Sequence, residues 1–235
     1  MNVYIDINMQ KRYELLKKSY RTGECVDRTE FIELLNSLIK IDKKYVCISS
    51  PEKNGKTFLS NLIASFYSKT INSRGYFERM YIRDTEQYFE NLNRHNVIFM
   101  GMKSSKLFVG DYIDYICKVE ENLIKKLADM YPSVRVNLNN SMRLNLEEVY
   151  LATGNKFIFV VDDWDFPLGI RKFERKSHID YMKTMIDTIC DCEYVELVCF
   201  TGKYPVSDFL KSKDTELFLE YELSDYKKEK SLIMA

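Results

Sequence analysis

The sequence predicts an α/β fold, a mostly parallel β-sheet with helices on both faces. Three observations lead there. Short apolar runs at residues 45–49, 97–102, 157–161, 194–200 and 217–223 alternate with stretches of helical periodicity. The 235 residues include only 8 glycines and 4 prolines, well under the usual shares of about 7% and about 5%, so long regular elements with few tight turns are expected. Apolar residues make up 46% and charged residues 30%, the balance of a globular chain rather than a disordered or fibrous one. A chain of this length suits one substantial domain burying roughly 70% of its unfolded surface.

Each element has its own signal. Between residues 9 and 20, Tyr13, Leu15, Leu16 and Tyr20 fall near helical spacing among lysines, which predicts a short amphipathic helix used for packing. A turn at Arg21-Thr22-Gly23 precedes a second helix, capped by Asp27 or Thr29, with Phe31, Leu34, Leu35, Leu38 and Ile39 on its apolar face and its end near Ile41. The run 45–49 is a strand that stops before Pro51. After Gly55-Lys56-Thr57, the residues Phe58, Leu59, Leu62, Ile63, Phe66 and Tyr67 resume helical spacing. Helical patterns at 112–130, 142–151 and 178–189 then separate the later strands. No repeat or linker-like tract interrupts this order, so the chain divides only into an N-terminal helical lead, 1–40, and an α/β core, 41–235.

Charge and composition exclude several classes. Thirty-five basic and 35 acidic residues leave a formal charge of zero, so the general footprint of a nucleic-acid or anionic-membrane binder is missing, though a local basic patch is compatible with it. No window approaches the ~18 apolar residues that span a bilayer, and the first 18 residues are too polar for a secretion signal. A cytoplasmic protein with no membrane partner is expected. The six cysteines, Cys25, Cys47, Cys117, Cys190, Cys192 and Cys199, are scattered and read as reduced thiols. Cys190 and Cys192, with only His95 and His178 as histidines, make a poor zinc site. The histidines also lack any nucleophile motif beside them.

The segment Ser50-Pro51-Glu52-Lys53-Asn54-Gly55-Lys56-Thr57 fits the phosphate-loop pattern G-x-x-x-x-G-K-[ST] except at its first position, where serine replaces glycine. Such a loop turns successive amides toward phosphate oxygens, and the following helix adds the positive end of its dipole. Gly55 permits close backbone approach, Lys56 can neutralise β- and γ-phosphate charge, and Thr57 offers an oxygen to Mg²⁺. The competing reading is a plain strand-to-helix turn with an exposed lysine. A bound Mg²⁺ also needs a carboxylate, usually at the end of a neighbouring buried strand. Phe157-Ile158-Phe159-Val160-Val161 ends abruptly in Asp162-Asp163-Trp164-Asp165. Asp162 is the candidate metal ligand, and Asp163 the candidate for orienting and deprotonating water. Taken alone, acidic residues after a strand would read as a solvated turn.

Four segments in order resemble the bacterial predicted AAA-ATPase-like family of P-loop proteins. Val26-Asp27-Arg28-Thr29-x-Phe31-Ile32 is similar to the family's VDKT-x-FI lead, and Ser50-Pro51 through Thr57 to its RP-x-x-x-GKS loop, which also lacks the first glycine. Val161-Asp162-Asp163-Trp164-Asp165-x-Pro167-Leu168 is similar to IDEYD-x-PL, and Phe200-Thr201-Gly202 to the TG after a later strand. The resemblance implies a three-layer P-loop NTPase core of about five strands that binds ATP and Mg²⁺ at the C-terminal strand ends. It also implies that Thr201 senses the γ-phosphate and that Asp27 and Thr29 lie on the side where nucleotide enters. It implies a short member without the family's helical lid and nuclease-like region. Asp163 stands where the family has a water-activating glutamate, one methylene longer. A ~1 Å misplacement can cost on the order of 100-fold in rate, so slow hydrolysis is expected.

Two further groups of residues are noted. The basic clusters Lys103, Lys106 and Arg171, Lys172, Arg175, Lys176 read first as solvated faces, with phosphate contacts or an arginine finger to a neighbour as the alternative. The aromatics Tyr76, Phe77, Tyr81, Tyr88 and Phe89 read as half-buried packing or a protein contact rather than a base-stacking surface. The expected function is an ATP- and Mg²⁺-binding P-loop NTPase with a protein partner or a second copy of itself. The alternative is a catalytically idle relative that serves as a protein-binding adaptor or inhibitor in a bacterial or phage conflict system.

Overall fold

The computed structural model describes residues 4–21, 27–41, 44–51, 55–103, 110–189, 192–210 and 217–224. Six strands, β1 (Tyr4–Asp6), β2 (Tyr45–Ser49), β3 (Asn96–Gly101), β4 (Phe157–Asp162), β5 (Val195–Gly202) and β6 (Leu219–Glu222), form one sheet in the order β1-β3-β4-β5-β2-β6. All neighbours are parallel except β1, which pairs antiparallel with β3 through Ile5 opposite Met100. The helices are α1 (Gln10–Arg21), α2 (Glu30–Lys40), α3 (Lys56–Tyr67), α4 (Arg74–Phe77), α5 (Tyr88–Asn91), α6 (Tyr112–Met130), α7 (Met142–Thr153) and α8 (Arg175–Ile189).

The sheet is buried on both faces, and strand alternation decides which helices cover which side. Phe157, Phe159 and Val161 of β4 join one core with Tyr115, Val119 and Leu123 of α6, Leu146 of α7 and Met182 of α8. Ile158 and Val160 join the opposite core with Phe31 and Leu35 of α2 and Leu59, Leu62, Ile63 and Phe66 of α3. This is a three-layer α/β fold. Burial of each large side chain stabilises it by about 1.5–3 kcal/mol over exposure, which is why β4 reads as an unbroken apolar run.

Two features depart from the sequence expectation. The sheet has a sixth strand, β1, because three residues are too few to display alternation. Arg12 of α1 anchors this edge, donating from Nε to Asp6 Oδ2 at 2.6 Å and stacking over Phe99 at 4.2 Å. The second departure concerns Asp27 and Thr29, whose side chains do not cap α2. Asp27 Oδ1 accepts from the Thr29 amide at 2.9 Å, Asp27 Oδ2 from the Tyr81 amide at 2.8 Å, and Thr29 Oγ1 from the Ile82 amide at 3.0 Å. The pair therefore clasps the 3-10 turn Tyr81–Asp84 against the start of α2. Beside them, the buried Arg28 donates to Leu223 O at 3.1 Å and ties this segment to the end of β6.

Candidate functional site

Because β2, β5 and β4 are parallel neighbours, their C-terminal ends emerge on one edge of the sheet. Ser50, just past β2, donates its amide to Gly202 O at 3.0 Å. The phosphate-loop segment follows, and its Glu52, Lys53 and Asn54 lie outside the described residues. Gly55 re-enters at φ 85°, a left-handed conformation that a Cβ disfavours, and begins α3 without a capping side chain. The first-turn amides of this 12-residue helix and the positive end of its dipole face the edge.

Lys56 is buried, and its Nζ donates to Ser50 O at 2.9 Å and Pro51 O at 3.1 Å. The ammonium is thus folded back on its own loop. Thr57 is exposed. The Ser50 hydroxyl oxygen is buried and has no hydrogen-bond partner among the described residues. One turn further along α3, the buried Ser60 lies 2.8 Å from Asp162 Oδ1 and 2.9 Å from Thr201 Oγ1. Thr201 in turn donates to Asp162 Oδ1 at 2.7 Å. The phosphate-loop helix, the acidic end of β4 and the polar end of β5 are therefore joined by three hydroxyl and carboxylate groups.

In front of this junction opens a cavity of about 750 Å³, whose lining includes Thr57, Asp163 and four cations, Lys56, Lys103, Arg175 and Lys203. Lys103 and Arg175 belong to the clusters read from sequence as solvated faces. They are exposed but line the cavity, whereas Arg171, Lys172 and Lys176 are exposed away from it, and Lys106 lies outside the described residues. Lys203 was not anticipated. Its signal was available as a lysine directly after Thr201-Gly202 at a strand end. Asp162, Thr201, Ser50, Pro51, Asp27 and Thr29 are not among the residues that line the cavity.

Asp163 adopts φ 52°, which aspartate tolerates better than most residues, and this turns its side chain toward the cavity while Asp162 stays under it. Burial, reinforced by repulsion from Asp162, pushes its carboxyl up to about 6, and Lys103 and Lys56 oppose the rise. Asp165 is buried and also raised by burial, with the Tyr204 and Lys203 amides pulling it back. Its Oδ2 accepts from those amides at 3.0 Å and 2.7 Å.

Trp164 completes the brace: its amide donates to Thr201 O at 3.0 Å and its indole Nε1 to Tyr204 O at 3.2 Å. A Cβ on Gly202 would sit 2.4 Å from Trp164 Nε1, so only glycine fits there. Behind Trp164, the fully buried His178 places Nε2 2.8 Å from Trp164 O and Nδ1 2.8 Å from the Tyr112 hydroxyl. A carbonyl only accepts, so Nε2 carries the proton and Nδ1 accepts from Tyr112. Burial pushes this imidazole down to about 4 and keeps it neutral.

The donor set suits Mg²⁺. A carboxylate and a hydroxyl, Asp162 and Thr57, are hard oxygen ligands of the kind that hold this ion jointly with phosphate, and Asp162 Oδ2 accepts no hydrogen bond from the described residues. Among the described residues no group of three or more His, Cys, Asp or Glu side chains could hold a metal by itself. Cys47, Cys117, Cys192 and Cys199 are free thiols. No helix among the described residues is long and apolar enough to cross a membrane.

Among solved structures, the chain is similar to one from Drosophila ORC bound to DNA, with TM-score 0.45 and 8% identity over 92% of this chain and 93% of that one. It is also similar to the Aeropyrum pernix ORC1 protein in complex with DNA, with TM-score 0.46 and 12% identity over 84% of this chain and 45% of that one. For Cdc6p from Pyrobaculum aerophilum the TM-score is 0.44 and the identity 12%, over 94% of this chain and 48% of that one. The chain thus spans less than half the length of the last two. No curated protein sequence matches it. The model of the AAA-ATPase-like family, described as predicted AAA-ATPase, matches residues 8–208. With that match covering most of its length, the chain belongs to the predicted AAA-ATPase family.

Proposed function

We propose that this protein binds ATP with Mg²⁺ at the edge formed by α3, β4 and β5, and hydrolyses it slowly. The single observation that carries the reading is the contact of Ser60 with Asp162, which joins the phosphate-loop helix to the acidic strand end beside a cation-lined cavity. In this reading the α3 amides and Lys56 hold the phosphates, Lys56 leaving the carbonyls of Ser50 and Pro51 to do so. Ser50, Pro51, Glu52, Lys53, Asn54 and Gly55 shape the cradle, and Thr57 and Asp162 hold the metal. Lys103, Arg175 and Lys203 supply charge around the γ-phosphate end. Bound Mg²⁺ would neutralise charge developing on the phosphate oxygens. Asp163 is the proposed base. A carboxyl raised to about 6 is ionised near neutrality yet basic enough to accept a proton from water. The protein acts in the cytoplasm with a protein partner or a second copy of itself.

A second reading is favoured by one observation: Lys56 is satisfied by its own loop. In a catalytically idle adaptor, that closed loop would be the permanent state. Phosphate release separates the two. Turnover above that of an Asp162→Ala control supports the ATPase, while turnover equal to the control, with ATP still bound, supports the adaptor.

A further inference from the structure

We infer that Ser60 is a positioning residue for Asp162, saturating one carboxylate oxygen so that the other alone is presented to a divalent cation. The inference rests on the nucleotide and Mg²⁺ reading above and adds a residue outside the phosphate-loop segment. Ser60 follows Lys56 by four positions, so its side chain lies on the same face of α3 one turn along. It is fully buried among Leu59, Leu62 and Ile63, a setting in which alanine would pack equally well and a hydroxyl without a partner would be costly.

The hydrogen-bond count identifies what the hydroxyl does. Ser60 Oγ lies 3.1 Å from Lys56 O, 2.8 Å from Asp162 Oδ1 and 2.9 Å from Thr201 Oγ1, while Thr201 Oγ1 lies 2.7 Å from the same Oδ1. Two hydroxyl protons are available, and an ionised carboxylate only accepts. Charge-assisted bonds are the stronger choice, so both protons go to Oδ1 rather than to the Lys56 carbonyl or to each other. Two donors on one oxygen, one from α3 and one from the neighbouring strand β5, fix the rotation of the carboxylate. Oδ2, with no donor among the described residues, is left as the single ligand atom. Thr201, fully buried with its hydroxyl on the same Oδ1, acts through Asp162 in the same way.

The test is binding of Mn²⁺ to the full chain, followed by its electron paramagnetic resonance in the presence of saturating ATP, with ATP affinity measured separately in chelator. In Ser60→Ala the apparent Mn²⁺ affinity is expected to fall by about 10–100-fold, the usual effect of removing a group that orients a metal ligand, with metal-free ATP affinity unchanged. Thr201→Val, which keeps the shape and loses the hydroxyl, should fall alike, and Thr201→Ser should restore wild-type affinity. A role confined to packing predicts no metal-specific change. Mn²⁺ affinity in Ser60→Ala equal to that of a wild type that does bind Mn²⁺ with ATP would overturn this inference alone. A wild type that binds no ATP would remove the nucleotide reading and this inference with it.

Discussion

Ser60 Oγ lies 2.8 Å from Asp162 Oδ1, across the boundary between the helix that follows the phosphate loop and the strand that carries the acidic cluster. The two segments are 102 positions apart in the chain. Their contact brings together two short motifs, each of which alone has an ordinary structural reading.

Asp163→Asn is expected to retain ATP binding and lose turnover by about 10²–10⁴-fold, the usual contribution of a positioned base. Wild-type turnover should rise with pH as the Asp163 carboxyl ionises, below its metal-free value of about 6 because Mg²⁺ on the adjacent Asp162 favours the ionised form. Steady-state phosphate release at several pH values checks both statements. A rate in Asp163→Asn equal to wild type would remove Asp163 from the chemistry.

His178 makes stability depend on pH. Its folded-state value of about 4 lies below the ordinary 6.5, so between these values the unfolded chain binds more protons and stability falls with falling pH. Its contribution is complete above about 6.5 and is reduced by about 2 kcal/mol at pH 5. Asp163, raised to about 6, works in the opposite sense: it favours the folded state below its ordinary 3.8 and loses that effect as pH rises through 6. Comparison with His178→Gln isolates the histidine. Urea midpoints should differ more between wild type and variant at pH 7.5 than at pH 5, and a gap independent of pH would contradict the assignment.

Gly202→Ala should destabilise the fold by about 1–3 kcal/mol, because its Cβ would overlap the buried Trp164 indole. Gly55→Ala should cost about 1–2 kcal/mol, from its left-handed φ alone, since nothing lies within 4 Å of the added Cβ. Thermal melts with calorimetric enthalpies measure both. A Gly202→Ala chain as stable as wild type would mean that the Trp164 brace yields to the added Cβ.

Most of the architecture was legible in the sequence because period and length agreed. The runs at 45–49 and 157–161 correspond to β2 and to all but the last residue of β4, and the pattern after Gly55 corresponds to α3. What escaped was short or depended on distant partners. β1 spans three residues and exists through pairing with β3, some 95 positions away. Asp27 and Thr29 carry the local signature of a helix cap, but their acceptor oxygens serve the amides of Tyr81 and Ile82 instead. At the site, Ser60 is a small residue within an apolar helical pattern, and no local signal marks a hydroxyl whose partner is on another strand. Lys103, Arg175 and Lys203 come from three separate segments, so the cavity they line has no linear signature.

The central claim is that the α3 end of the phosphate loop and Asp162 converge on a single ATP·Mg²⁺. Titration calorimetry of ATP with Mg²⁺ into wild type and Lys56→Ala tests it most directly. The account predicts one site per chain in wild type, weakened when Mg²⁺ is chelated and lost in Lys56→Ala. No binding heat in wild type, or binding that survives unchanged in Lys56→Ala, would contradict it.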